Sequence, residues 1–274
     1  MSRQGKTPPR RRDRKKRSDL LGTMIMVGCA VVVIAIGGAY FWYESQRTEL
    51  DEAFCPTNGP VSVTAVLIDR TDTLNHVQQD DVRKRLNGLR DSVPIHGLLA
   101  VYSVNSTEEG LLKPEFRLCN PGRGEELSKW VANPRLAQKR WEELFGDPLQ
   151  ELFDSMVEGG SADSSPILES IQSVALSVFA GEKVKNAPKE LIVVSDMLQH
   201  TVELSHYRGE NNFRRLRTSN YYRRIHTNLD GAKVSILYIR RPTAKAAQSK
   251  EHVLFWKEYF LDQNALPSFV RIQG

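Results

Sequence analysis

Two apolar, β-branched runs that each end in an acid constrain this chain more than any other feature. The first is Val63-Thr64-Ala65-Val66-Leu67-Ile68, closing on Asp69; the second is Leu191-Ile192-Val193-Val194-Ser195, closing on Asp196. Uninterrupted runs of this kind are buried on both faces, the environment of a parallel strand in an α/β sheet. Open α/β sheets take their ligands beyond the carboxyl ends of the strands, and both carboxylates would stand there. Asp69 also opens an Asp-x-Thr-x-Thr pattern, so Asp69, Thr71 and Thr73 can offer oxygens from one tight loop. Oxygen-only donors suit a hard divalent cation, Mg²⁺ first and Mn²⁺ as the alternative ion.

Around these runs the hydrophobic period alternates between strand and helix. Residues 77–89 carry Val77, Val82, Leu86 and Leu89 among charges, a single apolar helical stripe. Residues 97–104 and 115–119 read as strands, 133–156 as helix with a break at Gly146-Asp147-Pro148, 159–164 as a loop and 166–179 as a helix. Helical sequence returns over 212–225 and 252–261, with strands over 232–239 and 268–272. The pattern predicts a doubly wound α/β domain over 60–274, with about six strands and helices on both faces.

The Asp69-Arg70-Thr71-Asp72-Thr73 loop and the later Asp196 give the chain a family likeness. It resembles the von Willebrand factor A (vWA) family, whose metal-ion-dependent adhesion site looks like Asp-x-Ser-x-Ser after the first strand, a Thr opening a middle helix, and an Asp after the fourth strand. Asp69, Thr71 and Thr73 match the first element with Thr for each Ser, and Asp196 matches the last. Ser165, before Pro166, stands for the middle Thr, with Leu168 where the family commonly has Gly. The resemblance implies a mostly parallel sheet with one antiparallel edge strand, and Mg²⁺ held by Asp69, Thr71, Thr73, Ser165 and Asp196. It further implies a protein partner whose Asp or Glu completes the coordination, with no bond made or broken. Against these roles stand ordinary ones. Asp69 and Asp196 could cap turns or helices, and Ser165 directly before Pro166 fits a helix N-cap.

Residues 20–43 contain no charge and are long enough to span a bilayer as a helix. The run exceeds the about 7–15 residues of a signal-peptide core and ends in Tyr40-Phe41-Trp42-Tyr43, an interfacial aromatic belt. It therefore reads as a transmembrane anchor. The first nineteen residues hold nine Lys or Arg against two Asp, which accounts for the net charge of +5 and leaves the remainder slightly acidic. Positive charge before the span predicts a single pass through the cytoplasmic membrane: residues 1–19 as a cytoplasmic tail, 44–59 as a stalk, and the domain periplasmic or extracellular.

That placement bears on the cysteines. Cys29 lies in the span, leaving Cys55 and Cys119 either as a disulfide in an oxidising compartment or as two buried thiols. In a vWA-type sheet the strand ending at Cys119 would be the antiparallel edge, which puts both sulfurs at the bottom of the domain and favours the disulfide.

A basic, aromatic patch runs through Arg214, Arg215 and Arg217 to Arg223 and Arg224. The expected topology excludes nucleic acid, leaving an acidic protein surface or lipid headgroups as its partner, or an ordinary solvated face with Phe213, Leu216 and Ile225 inward. An aspartyl-phosphate enzyme requires a second acid two residues after its nucleophile, where this chain has Thr71. No Gly-x-Ser-x-Gly elbow, phosphate-binding loop or zinc-type spacing occurs, and His200 and His206 are expected to be surface imidazoles. Asn105-Ser106-Thr107 fits a glycosylation acceptor in a eukaryotic secretory setting. A membrane-anchored interaction module, not an enzyme, is the leading expectation. A metal-independent structural subunit of an envelope assembly is the alternative, ahead of a metal-dependent hydrolase.

Overall fold

β1 (Val63–Asp69) is buried at every residue but Asp69, as its composition requires of a central strand. The computed structural model describes residues 11–45, 48–104, 110–127, 133–160 and 162–272. The Asn105-Ser106-Thr107 acceptor and the first ten residues of the basic tail lie outside them. Two compact units are present, Met1–Glu49 and Leu50–Gly274. Among its described residues the first contains one helix, α1 (Arg11–Ser45), in which Gly22–Trp42 has a mean hydropathy of 2.3 and is not buried. That segment is long and apolar enough to cross a membrane.

The second unit is built on six strands: β1, β2 (Leu98–Val104), β3 (Phe116–Cys119), β4 (Lys189–Ser195), β5 (Lys233–Ile239) and β6 (Leu266–Ile272), in the order β3-β2-β1-β4-β5-β6. All neighbours are parallel except the edge pair, where β3 runs antiparallel to β2 with Cys119 opposite Leu98. From β1 the chain winds outward through β2 to β3, then returns to β4 on the other side of β1 and winds outward through β5 to β6. The direction therefore switches between β1 and β4, where open sheets form a crevice at their carboxyl ends. Ile68 lies opposite Val194 there, which brings Asp69 beside the end of β4.

Helices cover both faces. α2 (His76–Ser92), α3 (Pro134–Trp141) and α4 (Asp147–Val157) pack on Val66, Ile68, Leu99, Val101 and Val194. α5 (Ile167–Val174), α6 (Phe213–Arg217), α7 (Asn220–Ile225) and α8 (Lys250–Asp262) pack on Ala65, Leu67, Ala100, Tyr102 and Val193. A capping box starts α2: the Gln78 N–H donates to Asn75 Oδ1 at 2.9 Å, and the Asn75 N–H to Gln78 Oε1 at 3.3 Å. The loop after Asp69 is thereby held between a central strand and a capped helix.

At 146–148 the helix does not break. It passes through one π turn, Glu142–Gly146, directly into α4, whose second residue is Pro148. Proline gives such a helix no N–H and its ring crowds the carbonyl one turn back, and the π turn immediately before it is the irregularity that accommodates both. A side chain on Gly146 would meet the Trp141 ring at 2.5 Å, so glycine is required by that close approach.

At the opposite end of the sheet from Asp69, Cys55 and Cys119 form a disulfide, as expected, with their Cα atoms 5.0 Å apart. The Cys119 N–H also donates to the Ala53 carbonyl at 2.9 Å. Residues 50–59, expected as stalk, are thus fastened to the domain.

Candidate functional site

Asp69 ends its strand at the switch point and collects four donors. The Thr71 N–H and hydroxyl both reach Oδ1, at 3.0 and 2.6 Å. The Ser195 and Ser165 hydroxyls reach Oδ2, at 2.8 and 3.3 Å. Three separate segments, the loop after β1, the end of β4 and the entry to α5, therefore present hydroxyls to one carboxylate.

Ser165 is not the cap its position before Pro166 suggests. Its backbone forms a two-way bridge with His200, N–H to O at 2.9 and 3.0 Å, which leaves its hydroxyl free to turn to Asp69. The capping role passes to Gln199, whose Oε1 accepts from the Leu168 N–H at 2.9 Å. Thr73 sits on the exposed side of its loop and contributes its carbonyl oxygen to Arg241. Ser195 was legible as the one hydroxyl residue in the run that closes on Asp196, although only its proximity to Asp69 gives it a role.

Asp196 is 4 % exposed. Its Oδ1 accepts from the Leu198 N–H at 2.9 Å and its Oδ2 from Arg241 Nε at 3.0 Å. Burial raises its carboxyl to about 6, the neighbouring charge of Asp69 adds to the rise, and the Leu198 N–H and Arg241 oppose it. The turn that aims it inward is itself unusual: Met197 has φ +62°, a left-handed conformation that a side chain disfavours. Three polar groups hold it there. The Met197 N–H donates to Ser195 Oγ at 2.7 Å, and its carbonyl accepts from Trp256 Nε1 and His252 Nε2, each at 2.8 Å. With Nε2–H so committed, the His252 Nδ1 accepts from the Tyr238 hydroxyl at 2.9 Å.

Above Asp69 lies a cleft of about 390 Å³ lined by Thr71, Asp72, Asp163, Ser165, His200 and Tyr207. Burial, then the charge of Asp196, pushes the Tyr207 phenol up to about 12, so it faces the cleft as a neutral donor. Gly159, with φ +71°, backs the loop: a Cβ there would meet the Asp72 carbonyl at 2.8 Å and Thr73 Cα at 3.0 Å. Gly159→Ala is expected to lower the unfolding free energy by about 1–2 kcal/mol from the left-handed backbone, with loop displacement adding to it. An unchanged denaturation midpoint would show that the loop does not depend on this approach.

His206 departs from expectation. It is 0 % exposed, edge-on to the rings of His252 and Phe255 with centroids 4.5 and 4.8 Å away, because the turn after β4 folds back under α8. His200 is half-buried, its Nδ1 2.8 Å from Ser205 Oγ. In the basic patch, Arg214, Arg215, Arg217, Arg223 and Arg224 are all exposed, while Phe213, Leu216 and Ile225 point into the core. Arg217 pairs with Asp262 and Arg224 with Glu203, both at 3.0 Å, so two of the five charges are satisfied within the chain.

The donor set at the switch point is two carboxylates and three hydroxyls, all oxygen, and fits a hard divalent cation by its chemistry. Among the described residues no group of three or more His, Cys, Asp or Glu side chains gathers to hold a metal, at this rim or away from it, so a cation here would rest on two carboxylates completed by hydroxyls. No protein-family model matches the chain, and no curated protein does. Among solved structures it is similar to the SpRpn10 VWA domain, at 10 % identity over 78 % of this chain and 89 % of that one, with a TM-score of 0.35. It is also similar to an aerotolerance-related membrane protein from Bacteroides fragilis, at 9 % identity over 78 % and 92 % of the two chains, with a TM-score of 0.37. For the human COPII-coat protein Sec24c the identity is 9 %, the coverage 77 % of this chain and 30 % of that one, and the TM-score 0.33. The strand order, with its single antiparallel edge and its switch point between β1 and β4, is what establishes the doubly wound fold.

Proposed function

We propose that this protein is a single-pass membrane protein that displays an interaction module outside the cytoplasmic membrane and captures a protein partner at the carboxyl edge of its sheet. The observation that carries this reading is the convergence of Thr71, Ser165 and Ser195 hydroxyls on Asp69 beside buried Asp196, at the rim where open sheets bind ligands. Asp69, Thr71, Thr73, Ser165 and Asp196 would hold Mg²⁺ or Mn²⁺, with Ser195 orienting Asp69. When bound, the ion would supply a positive centre for an Asp or Glu of the partner. The chain's own residues position the carboxylates, and the cleft lined by Thr71, Ser165, His200 and Tyr207 would admit a partner's side chain beside them.

Asp69→Ala tests this reading. At a cation concentration of about 100 times the dissociation constant, binding to the native state alone adds about 2.7 kcal/mol of stability. The variant is expected to lose that increment and to lose partner capture from solubilised membranes, with Asp69→Asn as the isosteric control. Wild-type melting indifferent to millimolar Mg²⁺ and Mn²⁺, together with undiminished capture by Asp69→Ala, would overturn it.

A second reading, a structural subunit that works without metal, is favoured by the ion pair between Arg241 and Asp196. Capture that survives chelator and requires the intact fold would select it. Topology is tested separately. A reporter active only outside the cytoplasm, fused after Gly274, is expected to be active, and an inactive fusion would overturn the anchored arrangement.

A further inference from the structure

Arg241 follows β5 by two residues, yet its side chain lies across the rim, only 15 % exposed. Its Nε donates to Asp196 Oδ2 at 3.0 Å, Nη1 donates to the Thr73 carbonyl, and Nη2 stands 3.9 Å from Asp72 Oδ2. One guanidinium thus joins the two loops that supply the candidate ligands. The arrangement is built from beneath: the Arg241 N–H donates to Gln248 Oε1 at 2.7 Å, and Gln248 Nε2 donates to the Asp196 and Ile239 carbonyls at 3.0 and 2.7 Å. Gln248 is 2 % exposed. A buried carboxylate, Asp196, with half-buried Asp69 beside it favours a compensating positive charge, and the fold supplies one in Arg241.

We infer that Arg241 is the resident cation of this rim and the residue that sets its metal affinity, by competing with a divalent ion for Asp196. The inference rests on the metal-site reading above for its second competitor. A guanidinium and a divalent ion cannot both contact Asp196 Oδ2 without strong repulsion, so taking up the ion displaces Arg241. Because the same guanidinium holds the Thr73 carbonyl, its departure also frees the loop that bears Thr71 and Thr73. Removing the arginine's charge should therefore strengthen divalent binding, the reverse of what deleting a ligand would do.

The test uses the full chain in detergent, with Mn²⁺ as the probe and free Mn²⁺ followed by electron paramagnetic resonance. Arg241→Gln is expected to bind Mn²⁺ at least tenfold more tightly than wild type. Arg241→Lys keeps the charge but cannot span both loops, and is expected to fall between them. Should Arg241→Gln fail to fold, Arg241→Lys decides alone: tighter binding than wild type supports the inference, and equal or weaker binding overturns it. Equal Mn²⁺ affinity of wild type and Arg241→Gln overturns the inference and leaves the metal reading intact. Binding by Arg241→Gln alone upholds the inference and overturns metal use by the native chain, and binding by neither protein overturns both.

Discussion

Cys119→Ser is expected to destabilise the Leu50–Gly274 unit by about 4 kcal/mol, the entropy that a cross-link over a loop of this size removes from the unfolded chain. The loop spans 64 residues, and it encloses β1, α2, β2 and β3, so the denatured ensemble it restricts is large. The native side of the balance adds to this. β3 is four residues long and paired only to β2, and Cys119 itself is 0 % exposed. Without the bridge, the edge strand and residues 50–59 lose their shared attachment, and two buried sulfurs lose their covalent partner. Denaturant unfolding of Cys119→Ser and of reduced wild type should give the same loss, and peptide mapping without reduction should recover the Cys55–Cys119 pair. A loss below about 1 kcal/mol in both would show that the reduced chain is already restricted.

Lowering the pH from 7 to 4 is expected to cost several kcal/mol through two buried imidazoles. Burial, and then the charge of His252, pushes His206 down to about 2; burial pushes His252 down to about 4. Both are 0 % exposed, and His252 is locked between Tyr238 and the Met197 carbonyl. In the unfolded chain these groups protonate below about 6.5, while the native state refuses the proton until far lower. The unfolded state therefore binds more protons across this window, and native stability falls as the pH falls through it. Asp196 acts in the opposite sense. Its native carboxyl, raised to about 6, takes up a proton before its unfolded counterpart does, so the native state gains between pH 6 and 4. The two imidazoles together outweigh the single carboxyl, which leaves a net loss of a few kcal/mol at pH 4. Asp196→Asn should steepen the decline by removing the opposing group. Equal stability at pH 7 and pH 4, or imidazole resonances of His206 and His252 that titrate near 6.5 in the folded protein, would overturn this account.

The sheet was readable because a strand's burial is written in its own residues. Val63–Ile68 and Leu191–Val194 are uncharged, mostly apolar and rich in β-branched residues, and they became the two central parallel strands. Asp69 with Thr71 was readable for a related reason, since residues two apart on one loop meet whatever the rest of the chain does. The antiparallel edge and the disulfide followed from the family likeness, which carries topology that local periodicity does not.

Tertiary structure alone decided the rest. Ser165 reads as a helix cap in sequence, but Gln199 takes the cap from a distant turn and releases the hydroxyl to Asp69. His206 reads as a surface residue, but the turn after β4 carries it beneath α8. Arg241 carries no local mark of its role, because its partners Asp196 and Thr73 lie on other loops that come within reach only when β1, β4 and β5 stand side by side. Periodicity records what each segment must bury, and so the sequence by itself determined the layers and the strands that bear the acids. Which charge answers which acid depends on distances between loops, and those exist only once the sheet has closed.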